Sequence, residues 1–270
     1  MEGNKRTGLI AGGGSLPEIW LEAARLKGVE VFAYRLKEED PLPLELANQV
    51  QDVSLANLGR ILDLLKEAGI EQVIFLGKVH KEHLYQGLEP DQELAEMLDQ
   101  LDDYRDMTIL EGINKKFIEE GFEVLPQTSF IEDLLPESGL LAGPEPSEDL
   151  KMAMKQALRL AKELAEFDIG QTLLYKSGQV IAVEALEGTD QTIARAGEFA
   201  GEEGDLILAK AARPDQDFRS DVPAIGAETL RNLAEAGGQA VIIEAKKVFM
   251  LEQKEVKQIA DELGITVMAG

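Results

Sequence analysis

Cysteine is absent from this 270-residue chain. That excludes disulfides, thiol nucleophiles and cysteine-ligated zinc together, and it fits a reducing compartment. Aromatic residues are scarce at 5%, so the cores must be aliphatic, although a hydrophobic content of 44% is enough to build them. Basic residues are the minority: 27 Lys and Arg stand against 51 Asp and Glu, a formal net charge of −24. Such a field repels nucleic acid and anionic membrane surfaces, so no nucleic-acid partner is expected. No apolar run approaches the roughly 18 residues of a membrane span. The opening MEGNKRTGLIAGGG carries no signal-peptide core, which predicts a cytoplasmic protein.

What is present is an alternation of strand and helix patterns. TGLIA (7–11) reads as a buried strand and LPEIWLEAARLKG (16–28) as a helix stopped by Gly28. VEVFAYR (29–35) closes a βαβ unit of the dinucleotide-binding type. Helix 57–69, strand 71–77, helix 109–121 and strand 122–126 extend it. ESGLLAGPEPSED breaks the pattern with Gly, Pro, Ser and acids and reads as a linker. Beyond it come helix 149–167, a hairpin of strands 171–176 and 179–185 around Ser177-Gly178, helix 189–201 and strand 204–210. Helix 227–237, strands 239–245 and 247–251, and helix 252–264 complete the chain. The prediction is an α/β protein of two α/β domains, the first with a Rossmann-like parallel sheet and the second with a mixed sheet and helices. The boundaries are 1–136, a linker at 137–149, and 150–270.

Gly12, Gly13 and Gly14 lie between a strand and a helix, where backbone N–H groups can receive phosphate. A tight βα turn explains them equally well, since Pro17 stands where the dinucleotide fingerprint needs a glycine. His80 and His83 in VHKEH have helical metal-ligand spacing but no third ligand, and read as solvated. Asp99, Asp102, Asp103 and Asp106 would gather on one side of a helix, as a solvated face or, less simply, a Mg²⁺ site. FDIGQT (167–172) and EALEGTDQT (184–192) put small polar residues at element boundaries, with Thr189 or Asp190 suited to cap a helix. KAARPDQDFRSDVPAIG (210–226) follows a strand and interleaves Lys210, Arg213 and Arg219 with Asp215, Asp217 and Asp221. Such a loop can be a set of surface ion pairs. It can also supply what pyrophosphate hydrolysis needs, namely cations, metal-holding carboxylates and a water-orienting base.

IAGGGSLP, FDIGQT, VEALEGTD and KAARPDQDFRSDVPAIG, in that order over the whole chain, resemble the two-domain, non-metallophosphoesterase type of UDP-2,3-diacylglucosamine pyrophosphatase of the lipid A pathway. The resemblance implies a Mg²⁺-dependent hydrolase that delivers water to the α-phosphorus, releasing UMP and 2,3-diacylglucosamine 1-phosphate (lipid X). It assigns the essential family aspartate, in Arg-x-Asp-x-Pro, to Asp221 and makes the second domain catalytic. On physical grounds Asp221 would bind Mg²⁺ or act as general base, Asp217 and Asp190 are candidate second carboxylates for the metal, and Lys210, Arg213 and Arg219 would stabilise charge on the phosphoryl oxygens. Gly12 to Gly14, Ser15, Gly77, Lys78, Gln171, Thr189 and Asp190 become the substrate-binding set. The resemblance also implies a homodimer, a lipid held between the domains, and peripheral contact with the inner membrane. The chain departs from the family at Ser15, where many relatives carry aspartate, and at Arg213, a common lysine. Two other readings share the pattern: a pyrophosphatase for a smaller, non-lipid nucleotide sugar, and a non-catalytic nucleotide or lipid carrier.

Overall fold

Five strands of the first half run parallel in the order β3-β2-β1-β4-β5. They are β1 (Thr7–Ala11), β2 (Val31–Leu36), β3 (Gln49–Val53), β4 (Gln72–Leu76) and β5 (Glu123–Val124). The computed structural model describes residues 5–79, 89–201 and 205–270. His80 and His83 lie outside these, as does the side chain of Asp106. Helix α1 (Leu16–Leu26) carries Pro17 in its first turn, where it costs no hydrogen bond, and ends before Gly28 at φ +74°. Its Leu16, Trp20, Leu21 and Ala24 are buried at helical spacing. Helices α2 (Leu58–Glu67), α3 (Gln92–Leu98) and α4 (Asp106–Glu119) are the other helices among the described residues of this half. Phe117 of α4 packs edge-on to Phe75 of β4, with ring centroids 4.9 Å apart.

In the second half the six-stranded order is β6-β13-β11-β9-β7-β8, with β9, β11 and β13 parallel and the other pairings antiparallel. The strands are β6 (Gly139–Ala142), β7 (Thr172–Lys176), β8 (Gln179–Val183), β9 (Leu206–Lys210), β11 (Gly238–Ile243) and β13 (Thr266–Ala269). A separate parallel pair joins β10 (Ala224–Ile225) to β12 (Phe249–Met250). The helices are α5 (Glu148–Glu166), α6 (Thr189–Ala200), α7 (Ala227–Glu235) and α8 (Gln253–Leu263). Strand alternation divides the core. Ile207, Ala209, Ala240 and Ile242 pack with Met154, Ala157 and Ala161 of α5. Leu206, Leu208, Val241 and Ile243 pack with α6, α7 and α8 through Ile193, Leu230 and Val256. Ser177 and Gly178 both take positive φ, 49° and 87°, as a two-residue type I′ hairpin demands.

Three expectations are corrected. The stretch 137–149, expected as a linker, contains β6, which pairs with β13; four residues between Gly and Pro clusters are too few to show a period. Residues 99–105 form a non-helical connection between α3 and α4, and the Asp103 carboxylate accepts from Arg105 N, Arg105 Nε and Thr108 Oγ1. The residue capping α6 is Gly188 at φ +82°, with Thr189 already inside the helix and its hydroxyl directed elsewhere. The chain divides into two units, and the division is not a single cut. Met1–Ile131 with Asp217–Asp221 form one, and Glu132–Gln216 with Val222–Gly270 the other. Five residues of the expected catalytic domain therefore belong to the first unit. Among the described residues, no helix is long and apolar enough to cross a membrane.

Candidate active site

In the first unit the chain runs from β1 outward to β3 and then returns to β4 on the other side of β1. Open α/β sheets bind ligands outside the carboxyl ends of the strands at such a switch point. Two turns meet there. Gly13 N donates to Lys78 O and Lys78 N to Gly13 O, both at 2.8 Å, while Gly12 N donates to Leu76 O at 2.8 Å. A Cβ on Gly12 would collide with the Lys78 carbonyl oxygen, and one on Gly77, at φ +94°, would sit 2.6 Å from Gly13 O. Closure of the two turns on each other thus accounts for Gly12 and Gly77 without a ligand. Gly14, at φ +85°, has open space where its Cβ would be, and Ser15 at the start of α1 makes no side-chain cap. Gly77→Ala is expected to destabilise the protein by about 2–4 kcal/mol, combining positive-φ strain with overlap. Gly14→Ala carries the strain alone and should cost about 1–2 kcal/mol. Denaturant melts of the two variants check this order; equal costs would contradict it.

The Asp217–Asp221 segment is held at the same carboxyl edge. Gln127 follows β5, and its Nε2 donates both to Phe75 O in β4, at 2.9 Å, and to Ser220 O, at 3.0 Å. Gln127 N donates to Phe218 O at 2.6 Å, and Asn114 Nδ2 of α4 to Ser220 Oγ at 2.5 Å. Inside the segment, Asp217 O accepts from Ser220 N at 3.0 Å and from Asp221 N at 3.2 Å. Arg219 grips Asp217 in a fork, Nε to Oδ1 at 3.0 Å and Nη2 to Oδ2 at 2.8 Å. The guanidinium holds the Asp217 carboxyl below its ordinary pKa, and the carboxylate raises that of Arg219 in turn. Arg219 remains 41% exposed, with Nη1 outside this fork. Asp221 is half-buried. Gly12 to Gly14, Ser15, Gly77, Lys78, Asp217, Arg219 and Asp221 therefore share one unit, and the glycine turns and the aspartate segment share its β4 side.

In the second unit, Lys210, Gln171, Thr189, Asp190 and Arg213 come together differently. Lys210 ends β9, is only 8% exposed, and donates from Nζ to Thr189 Oγ1 at 2.8 Å. Thr189 Oγ1 donates in turn to Glu184 Oε1, also at 2.8 Å, and the Thr172 hydroxyl lies 3.3 Å from that of Thr189. Glu184 follows β8, and Gln171 precedes β7 and accepts from Ala211 N at 2.9 Å. Burial pushes the Glu184 carboxyl upward. The Lys210 ammonium, the Thr172 and Thr189 hydroxyls and the Gln171 amide outweigh it and leave it below its ordinary value. Arg213 Nη1 pairs with Asp168 Oδ1 at 3.0 Å, and Asp190 Oδ1 accepts from Asn232 Nδ2 at 3.0 Å. Asp215 is exposed in a turn. Glu184, Thr172, Gln127 and Asn114 are the residues sequence reasoning missed. For Glu184 the signal is an acid directly after a strand on the edge that bears Lys210.

The carboxylate set fits Mg²⁺ in one form only. Among the described residues, no three His, Asp or Glu side chains gather as a metal group. Asp217 is spent on Arg219 and Asp190 meets Asn232. An ion completed by substrate phosphates and water needs only one or two protein carboxylates, and Asp221 can supply one.

Comparison with known proteins agrees over both halves. A family model described as the LpxI N-terminal domain matches residues 6–134, and one described as the LpxI C-terminal domain matches residues 137–268. The UDP-2,3-diacylglucosamine pyrophosphatase LpxI of Caulobacter vibrioides is 30% identical over 273 residues, covering 98% of this chain and 97% of its own. Among solved structures, the biotin carboxylase domain of Hydrogenobacter thermophilus 2-oxoglutarate carboxylase aligns with 72% of this chain at 17% identity and a TM-score of 0.28. The biotin carboxylase subunit of pyruvate carboxylase aligns with 75% at 17% identity and the same score. This chain spans about two fifths of the length of those two, 41% and 43%, and likeness at that level carries no chemistry.

Proposed function

The chain belongs to the LpxI family, and on that premise we propose that it hydrolyses UDP-2,3-diacylglucosamine in lipid A biosynthesis, giving UMP and 2,3-diacylglucosamine 1-phosphate. The observation that carries the reading is the full-length relationship to a pyrophosphatase of that name, together with an Arg-x-Asp segment held beside the glycine turns of the parallel sheet. Water attacks the α-phosphorus. A P–O bond forms to the water oxygen, the bond from the α-phosphorus to the bridging oxygen breaks, and its electron pair leaves with the lipid phosphate. Asp221 orients that water and takes its proton. Arg219, aligned by Asp217, presents its remaining N–H groups to phosphoryl oxygens, so Asp217 serves as its positioning partner. Lys78, on the same edge, adds positive charge for an anionic substrate, and Lys210 and Arg213 are the cations that the second unit offers. The α1 N-terminus with Gly14 and Ser15 favours a phosphate group. Mg²⁺, when bound, would neutralise phosphate charge, with Asp221 as the carboxylate that would hold it. A homodimer and peripheral contact with the inner membrane belong to the same reading and rest on the resemblance alone.

Turnover of UDP-2,3-diacylglucosamine in ¹⁸O-water with Mg²⁺, followed by mass spectrometry, tests it. Label is expected in UMP. Label in the lipid phosphate would place the attack at the β-phosphorus, and binding without product would make the protein a carrier.

A further inference from the structure

We propose that Gln127 is a positioning residue for this reaction, its side-chain amide fixing the main chain that carries Asp221, with Asn114 in support. The proposal rests on the role given to Asp221 above. The Asp217–Asp221 segment has no strand or helix of its own, and the internal bonds it shows all close on Asp217, on its main-chain O from Ser220 N and Asp221 N and on its carboxylate from Arg219. What holds it to the sheet comes from outside. A glutamine amide has two N–H donors. Gln127 directs both at main-chain oxygens, Phe75 O in β4 at 2.9 Å and Ser220 O at 3.0 Å, while its own backbone N reaches Phe218 O at 2.6 Å. Asn114 takes the Ser220 hydroxyl at 2.5 Å. Gln127, Asn114 and Ser220 are 6%, 4% and 8% exposed, so water does not replace these bonds cheaply. Ser220 is thus held through both its carbonyl and its hydroxyl, and Asp221 is the next residue. Glutamate in place of Gln127 would face two carbonyls with acceptors, and an apolar residue would leave both without that donor. Neither substitute can link β4 to the segment.

Misplacing a reacting group by about 1 Å costs on the order of 10²-fold in rate. Gln127→Met, matched in length and without donors, should therefore lower kcat by about 10–100-fold with KM within about 3-fold of wild type. A loss confined to KM, or a folded variant with wild-type kcat, would overturn the proposal. The second measurement separates positioning from general damage. In an Asp221→Asn background, Gln127→Met should cause no further loss in the residual rate, because the group it positions is already gone. Losses that multiply would overturn the proposal. If Gln127→Met fails to fold, Ser220→Ala decides: it should lower kcat by about 3–10-fold at unchanged KM, and an unchanged kcat would overturn the proposal. Wild-type turnover is measured first. Its absence would sink the assigned activity and this inference together, whereas wild-type turnover with an indifferent Gln127→Met sinks this inference alone.

Discussion

Asp221→Asn is expected to lower kcat for UDP-2,3-diacylglucosamine by about 10³-fold or more while leaving the melting temperature close to that of the wild type. The substitution keeps size, turns one acceptor oxygen into an NH2 donor and removes the negative charge. Asp221 is half-buried and sits outside the apolar clusters of either unit, so the substitution leaves the packed cores intact. Its backbone N–H, which donates to Asp217 O, is untouched. On the mechanism proposed above, the reaction loses both the base that takes the water proton and the anionic ligand that Mg²⁺ would use, and both would act on the step that breaks the phosphoanhydride. Calorimetry and product analysis on the same preparation separate folding from chemistry. A folded Asp221→Asn protein with near-wild-type turnover would remove Asp221 from the centre of the mechanism. Then Asp217, released from its fork with Arg219, would be the next carboxylate to consider.

The parallel sheet was legible because its strands are apolar, short and separated by helices with clean faces. TGLIA and QVIFL are examples, and Gly28 marks a helix stop that the structure places one residue beyond the capping Lys27. Strand β3 was not legible. QVQDV lies at the edge of the sheet, mostly exposed, so no apolar period marks it. Strand β6 hid inside a Gly- and Pro-rich stretch because four residues are too few to show a period. The loop at 210–226 was legible as an interleaving of cations and acids. Its division between two units was not, because the bonds that pull Asp217–Asp221 to the first unit span 93 and 106 residues of sequence. Gln127 and Asn114 look like ordinary polar residues until a buried carbonyl and hydroxyl appear opposite them. Asp217 shows the reverse case. Composition offers it as a metal ligand, and only the geometry shows its carboxylate committed to Arg219 two residues away.

Lys210→Met should destabilise the protein by about 2–4 kcal/mol at pH 7, and the size of that deficit should depend on pH. Lys210 is almost wholly buried and reaches Glu184 through the Thr189 hydroxyl. Removing the cation strands the Glu184 carboxylate among groups that desolvate it. In the wild type the folded-state pKa of Glu184 lies below its ordinary value of 4.5. The pair therefore contributes stability above about pH 4.5, and loses it as the pH falls through the lower folded-state value. Without Lys210 the largest downward pull on the Glu184 carboxyl is gone and its pKa rises, so the variant holds less of the stability that the wild type gains above pH 4.5. Denaturant melts of the two proteins should differ most at neutral pH and converge towards pH 4; a constant gap would exclude the Glu184 coupling. Adding Glu184→Gln to Lys210→Met should recover much of the stability, since a neutral amide in a partly buried site needs no counter-charge. It should not recover turnover, because the cation is still missing. Recovery of both would make Lys210 a structural partner of Glu184 and nothing more, and recovery of stability alone would leave its charge working on the substrate.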